Sequence, residues 1–280
     1  MPGREPKEPT PFVETLKICG YAKTGSKKTV QIGHLIDLVG VENVLIVSAE
    51  GGLGVIESKL TVPENVVKIS TLDDYRANWT KVKGFCHPDR WVAIDGGTQI
   101  ADWIGNEQLS GADSYYDAKA RGQSILPTLL PFGKYTKGDS NNLVMNTMQV
   151  YGRIGRDIEN AMAALKSLPV NLYMNFWEDM TESDGFKAML PWGPDVPGKV
   201  GLKAVIGAFD FVLRFTVNGD ILTAQTRTDG TALAKTREDR FAGIRVPSSI
   251  KNFELGKFIK LVRPTVYGAN EPAWPPEETK

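Results

Sequence analysis

Short apolar runs recur along this chain, separated by longer amphipathic stretches. Thr15–Cys19, Asn43–Ser48, Trp91–Asp95, Val170–Phe176 and Phe209–Val217 are brief and rich in β-branched and aromatic residues. That pattern predicts five strands. Asn218-Gly219 follows the fifth and is a strong hairpin signal, so Asp220–Gln225 is expected to return beside it as a sixth, antiparallel strand. Thr29–Val39, Leu72–Lys83 and Val144–Ser167 predict helices; in the last, Met148, Ile154, Ile158, Met162 and Leu165 recur at helical spacing. Strands alternating with helices imply an α/β fold, a mostly parallel sheet flanked by helices with an antiparallel hairpin at its end. Gly105–Asn142 and Glu178–Lys199 follow neither period, and loops of that length are usually functional or disordered. The expected organisation is a flexible arm over 1–14, one domain over 15–255, and a proline-rich acidic tail over 256–280.

Composition narrows the functional classes. Thirty-three basic residues balance 33 acidic ones, so any contact with nucleic acid must use local patches or charge summed over an oligomer. The two cysteines, Cys19 and Cys86, are too few for a disulfide framework and point to a reducing compartment. With only His34 and His87, a multi-histidine metal site or a Ser-His-Asp hydrolase is disfavoured. No apolar run reaches the roughly 18 residues of a membrane span, and the first residues lack a secretory h-region. A cytoplasmic location is the expectation.

The most specific chemistry lies in Gly20–Thr29, GYAKTGSKKT, between a predicted strand and a predicted helix. A phosphate-binding loop belongs there, because its backbone N–H groups and the helix N-terminus can cradle an anion. Aligning the end of the motif makes Lys28 the phosphate lysine and Thr29 the magnesium hydroxyl. Ala22, Lys23, Thr24, Gly25, Ser26 and Lys27 then form the cradle. Ala22 and Lys27 stand where the motif has glycines, and Lys27 is costly if its position needs a positive φ. Lys23 falls where partition-type ATPases carry a second, signature lysine. Two acidic strand ends accompany the loop. An aspartate ending a buried strand requires a cation or a donor, which makes Asp95 a Walker B candidate reaching magnesium with Thr29. Glu50, just past the second strand, is positioned to orient an attacking water.

Phosphate loop, then strand-Ala-Glu, then strand-Asp: in this order the chain resembles the RecA core. PGKVGLKAVIGAFDFVLRF (197–215) is similar to the RecA-family stretch after the second DNA-binding loop, and AKTREDRFAG (234–243) to the basic segment after the hairpin. Within that class the chain most resembles phage-encoded, minimal RecA-like ATPases of the single-strand annealing type. The resemblance spans roughly 15–245.

It implies an ATPase that binds ATP and Mg2+ between protomers of a ring or filament. Lys235, Arg237 and Arg240 would complete a neighbour's site, and Asn175 would sense the γ-phosphate. The two long loops would face DNA. Lys119, Arg121, Lys134, Tyr135 and Lys137 interleave cations and aromatics in the manner that suits single-stranded DNA, whereas the second loop is acidic. The activity implied is DNA recombination, by annealing or strand exchange. The rival readings are another DNA motor (packaging, helicase or partition type) and a nucleotide-binding assembly module with little hydrolysis. The tail's lone Trp274 suggests a docking segment for a partner such as a single-strand-binding protein.

Overall fold

The computed structural model describes residues 15–107, 140–180, 191–237 and 244–268; side chains are described for these except 140–151 and Met180. A mostly parallel sheet runs through the molecule. Its strands are β1 (Lys17–Ala22), β2 (Val44–Ser48), β3 (Val66–Lys68), β4 (Trp91–Asp95), β5 (Asn171–Met180), β6 (Trp192–Pro194), β7 (Phe211–Asn218), β8 (Ile221–Gln225), β9 (Lys235–Thr236) and β10 (Ser249–Lys251). The spatial order is β10-β8-β7-β1-β5-β4-β2-β3, with β6 added to β5 and β9 to β7. All contacts from β7 through β3 along that path are parallel, while β8 and β10 run antiparallel at one edge. This is the α/β class read from the strand pattern, with the Asn218-Gly219 hairpin where it was expected.

Helices cover both faces: α1 (Lys28–Val39), α2 (Leu72–Ala77), α3 (Trp79–Phe85), α4 (97–107), α5 (Ser140–Ser167), α6 (Gly198–Ala208), α7 (Leu255–Val262) and α8 (Pro264–Tyr267). The period-two alternation of the strands sorts their side chains between two cores. Cys19, Tyr21, Val92, Ile94, Met174 and Phe176 face α4, α5 and α6, where Ile154, Ile158, Met162 and Leu165 form the buried stripe of α5. Ile18, Ile46, Ala93, Tyr173 and Leu213 face α1 and α7.

Several expectations change; Glu178–Lys199, expected to follow neither period, holds the end of β5, the whole of β6 and the start of α6. The helix expected over Leu72–Lys83 is two helices that break at Asn78, whose side-chain amide donates to the Asp74 carbonyl at 2.9 Å. The stretch from Gly105 begins inside α4, and α5 starts at Ser140, so the patternless segment is shorter than Gly105–Asn142. The domain also extends past 255. Leu255, Phe258, Ile259 and Val262 of α7 are buried, and the Phe258 ring meets Phe211 edge-on at 5.2 Å. Four apolar side chains on one short helix face outweigh the proline-rich composition of the chain beyond Tyr267.

Candidate functional site

The parallel strands all end on one side of the sheet, and their registers align four residues there. Ser48 pairs with Asp95, Asp95 with Asn175, and Asn175 with Gly20. Just beyond Gly20, β1 gives way to the loop 23–27, and α1 begins at Lys28. Gly25 (φ 79°) and Lys27 (φ 59°, ψ 23°) both take left-handed backbone, so the strained conformation foreseen for Lys27 is present. The Lys27 ammonium donates to the Asp220 carbonyl in the β7–β8 turn at 2.9 Å. α1 has no side-chain N-cap and no acidic residue in its first turn. Its leading amides and positive dipole end are thus left for an anion.

Lys28 is buried beneath that loop, and its ammonium donates to the carbonyls of Ala22 (3.1 Å) and Lys23 (3.2 Å). Burial lowers its pKa, while the carboxylates of Glu50, Asp95 and Glu178 act in the opposite sense. These carbonyls hold the cation where an arriving anion would meet it.

Asp95 has no exposed surface. It accepts from the Thr29 hydroxyl at 3.2 Å and from the Asn175 amide at 2.6 Å. The Asn175 side-chain carbonyl in turn accepts from the Gly96 amide at 3.0 Å. Burial raises the Asp95 pKa; the bonds from Asn175 and Thr29 and the charge of Lys28 lower it. Two glycines make this packing possible. Gly96 has φ 111°, and a Cβ on it would approach the Ala49 methyl to 2.9 Å; a Cβ on Gly97 would lie 2.6 Å from the Phe176 ring. Thr98 then donates to the Asp195 carbonyl at 3.0 Å and accepts from the Trp177 amide at 2.9 Å, fixing the entry to α4.

Glu50 follows β2 at the same strand ends. The Ala49 amide continues the β2–β4 ladder onto the Asp95 carbonyl at 2.8 Å, which holds Glu50 beside Gly96. Oε1 of Glu50 is buried without a hydrogen-bond partner among the described residues. Burial raises the Glu50 pKa and the neighbouring Asp95 adds to it, against a hydrogen bond from Trp177 and the charge of Lys28. A cavity of about 410 Å3, with Leu53, Glu57, Leu60 and Ile69 in its wall, shares Glu50 with this cluster.

Lys28, Thr29, Glu50, Asp95 and Asn175 are therefore brought together at one end of the sheet. Lys235 and Arg237 lie at the other. The Lys235 ammonium donates to the carbonyls of Ile206 and Phe209 at 2.7 Å each, capping the end of α6. Arg237 lies 3.8 Å from the Asp210 carboxylate, which also accepts from the amide of Lys17, the first residue of β1. A six-residue strand separates that end from the phosphate loop of the same chain by about 17 Å. Arg240, Lys119, Arg121, Lys134, Tyr135, Lys137 and the tail with Trp274 lie outside the described residues.

Some neighbours of the site escaped the sequence reading. A β5–β6 hairpin carries Trp192 to the loop, where Lys23 sits 4.9 Å from its ring centroid. Arg214 lies 5.8 Å from the same ring and pairs with Glu178. Gly52 lies so close to the cluster that a Cβ there would be 3.0 Å from the Thr29 hydroxyl and 3.6 Å from Asp95. Only the Gly-Gly pairs after Glu50 and Asp95 signalled this crowding in the sequence.

No protein-family model matches the chain, and no curated protein matches it. Among solved structures it is similar to the RadB recombinase, at 12% identity and a TM-score of 0.34 over 78% of this chain and 84% of that one. So distant a likeness assigns no family, and the functional reading rests on the site itself. No helix among the described residues is long and apolar enough to cross a membrane.

Proposed function

We propose that the chain is a magnesium-dependent, P-loop ATPase that acts on DNA. The observation that carries this reading is the junction of Thr29, Asp95 and Asn175 beside Lys28 and an uncapped helix N-terminus. A buried carboxylate bonded to a hydroxyl is what an octahedral cation needs from a protein when phosphate and water supply its other oxygens.

The residues fit such an occupant. The loop amides and Lys28 would hold the phosphates, and Thr29 would ligate magnesium while Asp95 steadies it. A bound Mg2+–ATP would supply the phosphoanhydride bond and neutralise charge that develops on its phosphates. Glu50, with one carboxylate oxygen buried and unpartnered among the described residues, would accept a hydrogen bond from the attacking water. Asn175 would fix the Asp95 carboxylate and, through Gly96, the turn behind it.

DNA recombination by annealing or strand exchange, with ATP bound between protomers, is the transaction to which the resemblance to RecA-like annealing ATPases points. Lys235 lies at the far end of the sheet from the phosphate loop of its own chain, where its ammonium donates to the α6 carbonyls, so a part in catalysis would be in a neighbour's site, as the resemblance implies. Lys27 and Lys28 favour a second reading, a nucleotide-binding assembly module with slow turnover. The first occupies a left-handed position that glycine takes at no cost, and the second is already engaged by two carbonyls. ATP hydrolysis by the purified chain, with and without single-stranded DNA and beside Lys28→Ala, separates the two. DNA-stimulated turnover that disappears in the variant is the expected result; binding without turnover supports the module, and neither binding nor turnover removes both readings.

A further inference from the structure

Arg214 is a partly buried cation at the strand ends. It sits on β7 in register with Tyr21, two residues before the phosphate loop begins. Its guanidinium reaches across the end of β1 to Glu178 on β5, where 14% of the Arg214 side chain and 2% of the Glu178 side chain remain exposed. One indole, that of Trp192, is approached by both Arg214 (5.8 Å to its centroid) and Lys23 of the loop (4.9 Å). The charge of Glu178 also acts on Lys28.

Buried ion pairs add little to stability over an apolar pair, so stability gives weak reason for one here. The strand ends where it sits are the place of ligand sites in parallel α/β sheets. Two cations, Lys23 and Arg214, share the Trp192 ring at the start of the loop, and Glu178 pairs with the second.

We infer that Arg214 is a phosphate-binding cation held in reserve: the terminal phosphate of a bound triphosphate displaces Glu178 from its guanidinium. This inference rests on the nucleotide reading above. A guanidinium takes phosphate or carboxylate with the same bidentate geometry, so the exchange replaces one charge-assisted pair by another. A diphosphate lacks the group that would compete, so the site distinguishes ATP from ADP. The released Glu178 lies on β5 opposite Pro194, beside the strand that carries Trp192, so the exchange removes the side-chain tie between β5 and β7 and leaves the backbone bonds of Trp192 in place.

Two variants of the full chain test this by calorimetric titration with Mg-ATP and Mg-ADP. Glu178→Gln frees the guanidinium, and the ratio of ATP to ADP affinity rises about three- to tenfold. Arg214→Met combined with Glu178→Gln leaves no buried unpaired charge, and the ratio falls below that of the native chain. A purely structural ion pair predicts otherwise: a ratio that does not rise in Glu178→Gln, or that does not fall below the native value in the double variant, overturns the inference while nucleotide binding stands. A folded native chain that binds neither nucleotide overturns the nucleotide reading and this inference with it.

Discussion

The side-chain amide of Asn175 donates to the Asp95 carboxylate at 2.6 Å, across neighbouring strands whose register sets the two residues opposite each other. Neither residue has exposed surface. Removing the amide leaves a buried carboxylate that still accepts from the Thr29 hydroxyl, and it leaves the Gly96 amide without its acceptor. Asn175→Ala therefore costs about 2 kcal/mol, and Asn175→Asp, which sets two carboxylates face to face, costs more. Urea unfolding of the two variants checks the order; Asn175→Asp at native stability would contradict it.

Asp95 itself pulls stability and function apart. Burial holds its pKa above the ordinary carboxyl range. Such a group binds its proton more tightly in the folded chain than in the unfolded one. It therefore favours folding below the unfolded pKa and costs stability as pH rises through the folded pKa. Asp95→Asn removes that cost and still bonds Asn175 and Thr29. At pH 7 to 8 the free variant melts higher than the native chain, by about 2–4 °C for each ~1 kcal/mol relieved, and the gap closes as pH falls toward 5. Its nucleotide affinity in magnesium is lost. Equal melting temperatures across that range would refute the argument.

Lys27 gives a backbone test. A non-glycine residue at φ 59° carries a cost near 1 kcal/mol, offset here by the bond to the Asp220 carbonyl. Lys27→Gly relieves the strain, loses the bond and gains unfolded-state entropy, so stability stays within about 1 kcal/mol of native. Lys27→Val places a β-branched residue in the left-handed region and destabilises by about 1–2 kcal/mol. Chemical unfolding distinguishes the pair, and a Lys27→Val chain as stable as Lys27→Gly would show that the loop changes shape freely.

How much could be read beforehand varies with the range of the interaction. Trp91–Asp95 declared itself fully because five consecutive buried residues at a strand end leave few alternatives. The strain at Lys27 was legible from one motif position. By contrast β3 and β10 are three residues each, too short to show a period. The break at Asn78 depends on one side chain bonding backward. The Trp192–Lys23 and Arg214–Glu178 contacts join residues 169 and 36 positions apart in sequence, by difference of their numbers, and no local pattern encodes them. Asn175 was singled out by resemblance, whereas its bond to Asp95 follows from strand register.

The extension of the domain beyond 255 carries its own expected outcome. Phe258 is fully buried among Phe211, Phe253 and the α1 side chains, and the Leu255 amide donates to the Gln31 side-chain carbonyl of α1 at 2.9 Å. Phe258→Ala costs about 3–5 kcal/mol. A chain ended at residue 254 loses the cover of the α1 face and unfolds at lower denaturant, or fails to accumulate as a folded protein. A truncated chain with native unfolding behaviour would place α7 outside the cooperative unit.

Gly52 tests the site without disturbing the core. Its missing side chain leaves the space beside the Thr29 hydroxyl and the Asp95 carboxylate, the two groups proposed to meet magnesium. A methyl group there would press on the hydroxyl at 3.0 Å and stand 3.6 Å from the carboxylate, contacts that a small shift relieves in the free protein. A hydrated cation and its phosphate have no such freedom, because their bond lengths are fixed within about 0.2 Å. Gly52→Ala thus keeps native stability to within about 1 kcal/mol while Mg-ATP affinity drops by roughly tenfold. Thermal melting and calorimetric titration on the same preparation read the two quantities separately. Undiminished affinity in a folded Gly52→Ala chain would move the cation away from Thr29 and Asp95, and with it the assignment of this end of the sheet.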